Sequence, residues 1–506
     1  MRTYRGWCLA ALLLWAAPAL AEPQDKIVQE TWEATYLEGA KAGYAHTTVR
    51  AVERDGKKLL RTTKSLDLTV QRGRAEARLR IEEGTDETPE GKVLGVVMRQ
   101  FLGDKEQMVL TGVVEDDQLH IKTGDGKLDK KVPWNDEVVG LNRQERLFQE
   151  HKVKPGDKFT YLSYEPIIAS VVTIHVTVKD EEEVEVLGGK KRLLRAEEAP
   201  DKVQGPQGPV PLPKVTHWLD KDLLTVRAET DMAPLGKIVL YRAPREVALA
   251  KGQVPKSSDP LLKSMVRLDR SIPQPAATRS AVYRITVKDD DDPASTFAQD
   301  DRQIVKNVKG SAFELHVRAI RQPRDVPEPA DAPKEFKEPC TYIPSDDAKV
   351  KEYAQEAVAD EKDPWRKAQR IERWLRRNIE PDDAEPFEPA DKVAARLKGD
   401  CRHNAMLGAA MCRTVGVPSR TAVGLIYDDN NGRGDPVMAF HMWTEVWVRG
   451  QWLGIDGTLG QGSVGADHAK IADSSWFNTE SQTPLLPVAR VLGKVAIQVV
   501  RVNDDE

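Results

Sequence analysis

Three residues in the last third of the chain have the types and spacing for nucleophilic chemistry on an acyl or amide carbon: Cys401, His441 and Asp456. A thiolate can attack a carbonyl carbon. An imidazole can accept the thiol proton, or hold it in an ion pair, and pass it to a leaving amine. A carboxylate beside that imidazole fixes its tautomer and favours its charged form. The product of the first half-reaction is a thioester. Water as second substrate gives hydrolysis; a lysine or other amine gives transamidation.

The segment from Leu397 to Pro418 predicts a helix that begins at the cysteine. Gly399 permits a tight approach and Asp400 can cap. Ala405, Ala409 and Cys412 share one face, with Met406 and Ala410 flanking it, and Gly416 and Pro418 end the helix. Cys401 then sits in the first turn, where free N–H groups and the helix dipole favour a thiolate and lie near a developing oxyanion. Cys412, inside the apolar run, reads as a small buried hydrophobe. Cys401, between Asp400 and Arg402, fits that reading badly.

His441 belongs to a predicted strand, Phe440 to Val448, and Asp456 to its partner, Gln451 to Asp456, across Arg449-Gly450. A two-residue turn there makes Val448 face Gln451 and Trp443 face Asp456. His441 becomes a diagonal neighbour of Asp456 on the same face, together with Trp443, Glu445, Trp447 and Trp452. Arg420 to Ile426 is a further strand, and Asp428 to Asp435 a polar, Gly-rich loop. Zinc is the competing chemistry, with Cys401, His403, His441, Asp456 and His468 as conceivable ligands. No C-x-x-C or H-E-x-x-H pair is present, and the residues ordered by role need no metal or cofactor. His403 is expected either to line the cleft or to be exposed.

The elements that carry these residues follow a long β-rich stretch. The 506-residue chain exceeds one ordinary core, so several domains are expected. Its 75 basic and 80 acidic residues nearly cancel, with no basic stripe for nucleic acid. Arg2 and Arg5, the apolar run Leu9 to Ala17 and Ala19-Leu20-Ala21 predict a cleaved export signal over 1–21, too short to span a membrane. No later segment reaches spanning length, so the mature chain is expected in the periplasm or secreted. Cys340, Cys401 and Cys412 remain, too few for a disulfide-built fold.

Residues 22–255 read as a β-rich domain. Val171 to Val178 is a β-branched strand. Hairpins are expected at Val184 to Leu194 and at Val215 to Val226, and weaker strands at Thr47 to Val49 and Leu66 to Val70. Helical spacing is faint except at 93–101 and 141–149. His46, His120, His151, His175 and His217 are scattered and form no constellation. A second β-rich segment covers 256–322, with strands at Val266 to Leu268, Ala281 to Val287 and Phe313 to Ile320. The Asp289 to Asp292 run between them reads as a solvated turn rather than a calcium loop. Pro206 to Pro213 is a loop, and 323–339 a Pro-rich linker. Helices follow, one capped by Ser345 and reaching Val358, the next opened by Asp363-Pro364. Trp365, Ala368, Ile371, Leu375 and Ile379 build the apolar face of the second, and a short helix over 390–397 precedes the cysteine.

From about 340 to 475 the sequence resembles the transglutaminase-like superfamily of papain-fold cysteine enzymes. Gly399-Asp400-Cys401 with Ala405 is similar to the family's nucleophile motif, and Gly416 to Arg420 to the segment that leads into the first core strand. His441 to Val446 is similar to its histidine strand, and Trp452 to Thr458 to its aspartate strand. Where the family often has Asp-Pro-Thr, this chain has Asp456-Gly457-Thr458, a change in the turn that keeps the carboxylate. The resemblance implies that Cys401 is the nucleophile, His441 the base and Asp456 the orienting group. Trp365 and Trp374 are candidates for the aromatic group that can complete the oxyanion hole.

The expected fold is α+β, with a papain-like transglutaminase core at 340–506 preceded by mostly antiparallel β domains. The expected function is an exported cysteine-dependent amide hydrolase acting on protein or peptide substrates, including those of the cell envelope. A protein-glutamine amine transferase, or a non-catalytic interaction module that keeps the fold, are the alternatives.

Overall fold

The computed structural model describes residues 26–503 apart from 55, 73–74, 125–128, 206–207, 233–235, 253–264, 326–330, 383–386, 430–434, 478 and 480–482. The leader expected at 1–21, the middle of the expected linker and most of the polar loop at 428–435 lie outside the described residues.

The N-terminal half is built on one antiparallel sheet of fourteen strands, beginning in chain order with Lys26–Leu37 and ending with Gly236–Arg242, which pair with each other, and carries a separate short ribbon of Val203–Gly205 and Gly208–Val210. Alternation builds it. In Ser170–Val186 the buried side chains Val172, Ile174, Val176 and Val178 recur every second residue. The sheet curls: Val138 bridges to Leu162, and Met98, Leu119, Ile121 and Trp134 share a core with Leu162 and Val171 from the far end. Both expected hairpins form, and the 141–149 stretch gives two short helices, Leu141–Gln144 and Leu147–His151. The 93–101 stretch, expected as helical, is instead the strand Val93–Leu102, paired on both sides. Ladder bonds to two neighbours, with Val96 and Met98 buried two apart, override its weak three-to-four spacing.

The remainder is built on one main core that runs from Val266 to Val499, with a small separate cluster of Ala422, Trp443 and Val464. Its elements, numbered from here, are β1 (Val266–Arg267), β2 (Ser280–Val287), β3 (Gln303–Lys309), β4 (Ala312–Arg318), α1 (Ala348–Val358), α2 (Pro364–Asn378), α3 (Ala390–Arg396), α4 (Cys401–Thr414), β5 (Ser419–Asp428), β6 (Val437–Val448), β7 (Gln451–Ile455), β8 (His468–Ser474) and β9 (Val495–Val502). One sheet orders β1-β6-β5-β8, with β7 also on β6; a second orders β3-β4-β2-β9. The whole is α+β with mostly antiparallel sheets.

The 256–322 segment therefore supplies three strands of a sheet whose fourth comes from the C-terminus, and lends β1 to the sheet that carries His441. It is bolted to β8 and to the residues just before it: Tyr283 Oη donates to Ala466 O, Arg302 to the carbonyls of Gly465 and His468, and Gln303 to Lys470 O. The Asp289 to Asp292 run is not simply a solvated turn. Asp290 is buried against Arg490 at 2.7 Å, because the chain end folds back over it. In the 323–339 stretch, Arg324 N donates to Gln451, Ala332 is buried and Phe336 packs edge-to-face on Trp452. The cap of α1 is Asp347, which accepts from Lys349 N and Val350 N, rather than Ser345. Ser345 is buried and its carbonyl accepts from Thr414.

Candidate active site

Cys401 opens α4 as the sequence predicts. Asp400 is its N-cap, with extended backbone, and its carboxylate accepts from Arg402 N at 2.9 Å. Burial works against the Asp400 charge, but contacts with His403 and the Arg402 guanidinium hold the carboxyl well below the usual range. His403 neither lines a cleft nor is exposed. It is fully buried, and its Nδ1 lies 3.0 Å from both Asp400 N and Asp400 Oδ1, closing a capping box. Gly399 makes room for that ring: its φ is +147°, and a Cβ there would lie 2.2 Å from His403 Cγ.

The hairpin register is the predicted one. Val448 pairs with Gln451 and Thr444 with Ile455, and Arg449 and Gly450 both take positive φ, as a two-residue turn of this hand requires. His441 Nε2 lies 2.6 Å from Asp456 Oδ2, with both residues buried. With Nε2 committed to the carboxylate, Nδ1 is left for the Cys401 thiol, which is among the groups that favour the charged form of the ring. Burial alone would lower the His441 pKa. The Asp456 carboxylate first, then Cys401, outweigh it and raise the value well above that of a free imidazole. In return, although burial opposes its charge, the His441 ring holds the Asp456 carboxyl far below the ordinary carboxylate range.

Every oxygen of Asp456 is used. Oδ1 accepts from Thr458 N at 2.8 Å and Leu459 N at 3.3 Å; Oδ2 faces His441 and, at 3.5 Å, Nε2 of His468. His468 is fully buried, with Nδ1 2.8 Å from Asp467 Oδ1 and its ring against Trp443. The site thus extends as a file: Cys401, His441, Asp456, His468, Asp467. On the far side of β6, Thr444 Oγ1 donates to Ala405 O and seats α4 on the strand. Glu445, on the His441 face, lies in a buried charge network with Lys470 and Arg420, and Asp473 binds the same two cations.

His441, Asp456 and His468 each offer a metal-ligand atom within 4.8 Å of the others. The 2.6 Å separation of His441 Nε2 and Asp456 Oδ2 is a hydrogen-bond distance. Two ligands of one tetrahedral zinc stand about 3.3 Å apart, from bonds of about 2.0 Å. Cys401 and His403 do not join that group, so the five conceivable zinc ligands are not gathered. Trp365 and Trp374 are buried, with indole N–H groups that find no partner among the described residues, and Trp374 packs on Tyr353.

Two residues at the site were not singled out from sequence. Asp467 gives no sequence signal. Glu372 does: it sits at the position between Ala368 and Leu375 that belongs to the apolar face of α2, and a charge there is out of pattern.

Residues 351–457 match the family model of the transglutaminase-like superfamily core. No curated protein matches the chain. Among solved structures it is similar to a candidate cysteine protease from Cytophaga hutchinsonii, at 15% identity over 48% of this chain and 89% of that one, with a TM-score of 0.30. A β-barrel-like protein of a family of unknown function from Brucella abortus is 12% identical over 42% of this chain and 95% of that one, with a TM-score of 0.33. A candidate protease from Parabacteroides distasonis is 10% identical over 72% of this chain and 64% of that one, with a TM-score of 0.18. The C-terminal part of this chain carries a transglutaminase-like domain, of a superfamily of generally cysteine-dependent enzymes.

Proposed function

We propose that the chain is an exported thiol hydrolase that cleaves a peptide or isopeptide amide through a Cys401 thioester. The observation that carries this reading is the 2.6 Å pairing of a buried His441 with Asp456, with Cys401 at a helix start as the thiol that favours the charged imidazole. In the first half-reaction the Cys401 sulfur bonds to the carbonyl carbon. The His441 proton passes to the amide nitrogen as the C–N bond breaks, and the amine leaves. In the second, His441 takes a proton from water, the hydroxide adds to the thioester carbon, and the C–S bond breaks to release the acid and restore the thiol.

Arg402 N donates to Asp400, His403 N belongs to the capping box and Asn404 N donates to Asp400 O. Of the first-turn donors, the Cys401 N–H is left for the oxyanion. Export rests on the sequence of residues 1–21.

The test is to incubate the protein and its Cys401→Ala variant with a glutamine-containing protein and a labelled amine. New amino termini without label, lost in the variant, support hydrolysis. Label incorporation makes the protein an amine transferase instead. Equal turnover by the variant removes Cys401 as nucleophile. No turnover and no reaction of Cys401 with a thiol-directed probe would leave a binding module.

A further inference from the structure

We propose that Glu372 is a positioning residue of the Cys401 site, holding from α2 the loop that presents the Asp456 carboxylate to His441. The inference rests on the assignment of Cys401, His441 and Asp456 as the reacting unit. It begins with an anomaly of packing. Trp365, Ala368, Ile371 and Leu375 make the buried face of α2, and Glu372 is fully buried with them. One oxygen, Oε2, has no hydrogen-bond partner among the described residues. A carboxyl in such a place is unfavourable for stability unless it does something an apolar side chain could not.

The other oxygen has a specific task. Oε1 accepts from Asp456 N at 3.1 Å and from Gly462 N at 3.0 Å, the two ends of one loop. One turn earlier on α2, Gln369 Nε2 donates to Gly462 O at 3.1 Å. Gly460 N closes the loop onto Asp456 O at 2.8 Å. Gly457 lies so close to α2 that a Cβ would come within 2.8 Å of Leu375, which explains glycine in the turn after the aspartate.

This hold bears on the carboxylate itself. Asp456 Oδ1 is tied to its own loop, through Thr458 N and Leu459 N, so Oδ2 is what remains for His441. The loop conformation sets where that oxygen stands, and Glu372 fixes the backbone nitrogen from which the side chain starts. A displacement of about 1 Å at such a point degrades catalytic geometry severely. Glu372 touches neither substrate nor thiol in this account; it acts through Asp456.

The experiment uses the full chain and iodoacetamide as probe, following alkylation of Cys401 by peptide mass spectrometry from pH 4 to 10. The proteins are wild type, Glu372→Gln, Glu372→Leu, Asp456→Asn and the Glu372→Leu/Asp456→Asn double variant. In Glu372→Leu, alkylation at pH 6 should fall about tenfold and the midpoint should move toward that of Asp456→Asn. Glu372→Gln, which keeps a carbonyl acceptor, should stay within about threefold of wild type. The double variant should be no slower than Asp456→Asn alone, because both changes act on one element.

A wild-type profile in Glu372→Leu, or losses that multiply in the double variant, would overturn the assignment. If Glu372→Leu does not fold, Glu372→Asp, which shortens the reach, should give about a threefold loss, and a wild-type profile there overturns it equally. If instead wild-type Cys401 behaves as an ordinary thiol and Asp456→Asn changes nothing, the catalytic reading itself fails, a result distinct from the failure of Glu372 alone.

Discussion

Asp456 Oδ2 stands 2.6 Å from His441 Nε2 across a two-residue turn, both side chains buried on one face of the β6–β7 hairpin. The pair is made by local register, while the thiol that completes it arrives from a helix forty residues earlier in the chain. Each partner shifts the other toward its charged form, and Cys401 adds to the effect on the imidazole.

Asp456→Asn keeps the shape and removes the charge. The imidazolium then loses its main support, and the first expected outcome is a drop of at least about 100-fold in kcat/KM at neutral pH. Alkylation of Cys401 at pH 6 should fall in parallel. Retention of full reactivity in a folded variant would remove Asp456 from the mechanism.

The pair also links stability to pH. The His441 pKa is raised in the folded state, so its contribution is complete below about 6.5 and is lost as pH rises through the folded value. The Asp456 pKa is depressed, so its contribution is present above about 3.8 and is lost as pH falls through the folded value. Thermal melts of wild type against His441→Gln should therefore differ most in the mildly acidic range and converge on the alkaline side. A difference that stays constant from pH 4 to 10 contradicts this.

Glu372 has the opposite sign. Burial pushes its carboxyl up to about 7 from 4.5, against the support of the N–H groups of Asp456 and Gly462, and the Asp456 charge adds a smaller push in the same direction as burial. The folded state holds the proton more tightly, so stability declines as pH rises from about 4.5 to about 7. Glu372→Gln should flatten that decline and be more stable at pH 8 by roughly 2–3 kcal/mol. Chemical denaturation at pH 5 and pH 8 measures it; an unchanged slope rejects it.

Gly399→Ala should be severe. The added Cβ would meet the buried His403 ring 2.2 Å away, at a φ of +147° that L residues avoid. A loss of about 2–4 kcal/mol is expected, with disruption of the cap that starts α4. Equilibrium unfolding of the variant decides the matter: a loss below about 0.5 kcal/mol means the ring is free to move aside.

Much of the site was legible because its parts are local. A capping aspartate, a small-residue helix and a glycine-proline exit marked α4. Period-two alternation about Arg449-Gly450 placed His441 beside Asp456 before any long-range contact was known. These features depend on sterics and hydrogen bonds within a few residues, which the chain carries wherever it folds. His403 was harder to read, since its place in the cap depends on a side chain turning back to Asp400 N rather than outward.

Contacts between distant segments were decided only by tertiary structure. The 256–322 strands close a sheet with the C-terminal strand; Asp290 is buried by Arg490, two hundred residues on; Val93–Leu102 is held as a strand by neighbours on both sides. Glu372 and His468 come to Asp456 from different elements, by packing of α2 and β8 against the hairpin end. Sequence by itself determined which residues could form a thiol, base and carboxylate unit and how two of them pair. Folding decided what stands behind the carboxylate, because burial and long-range hydrogen bonds belong to no single segment.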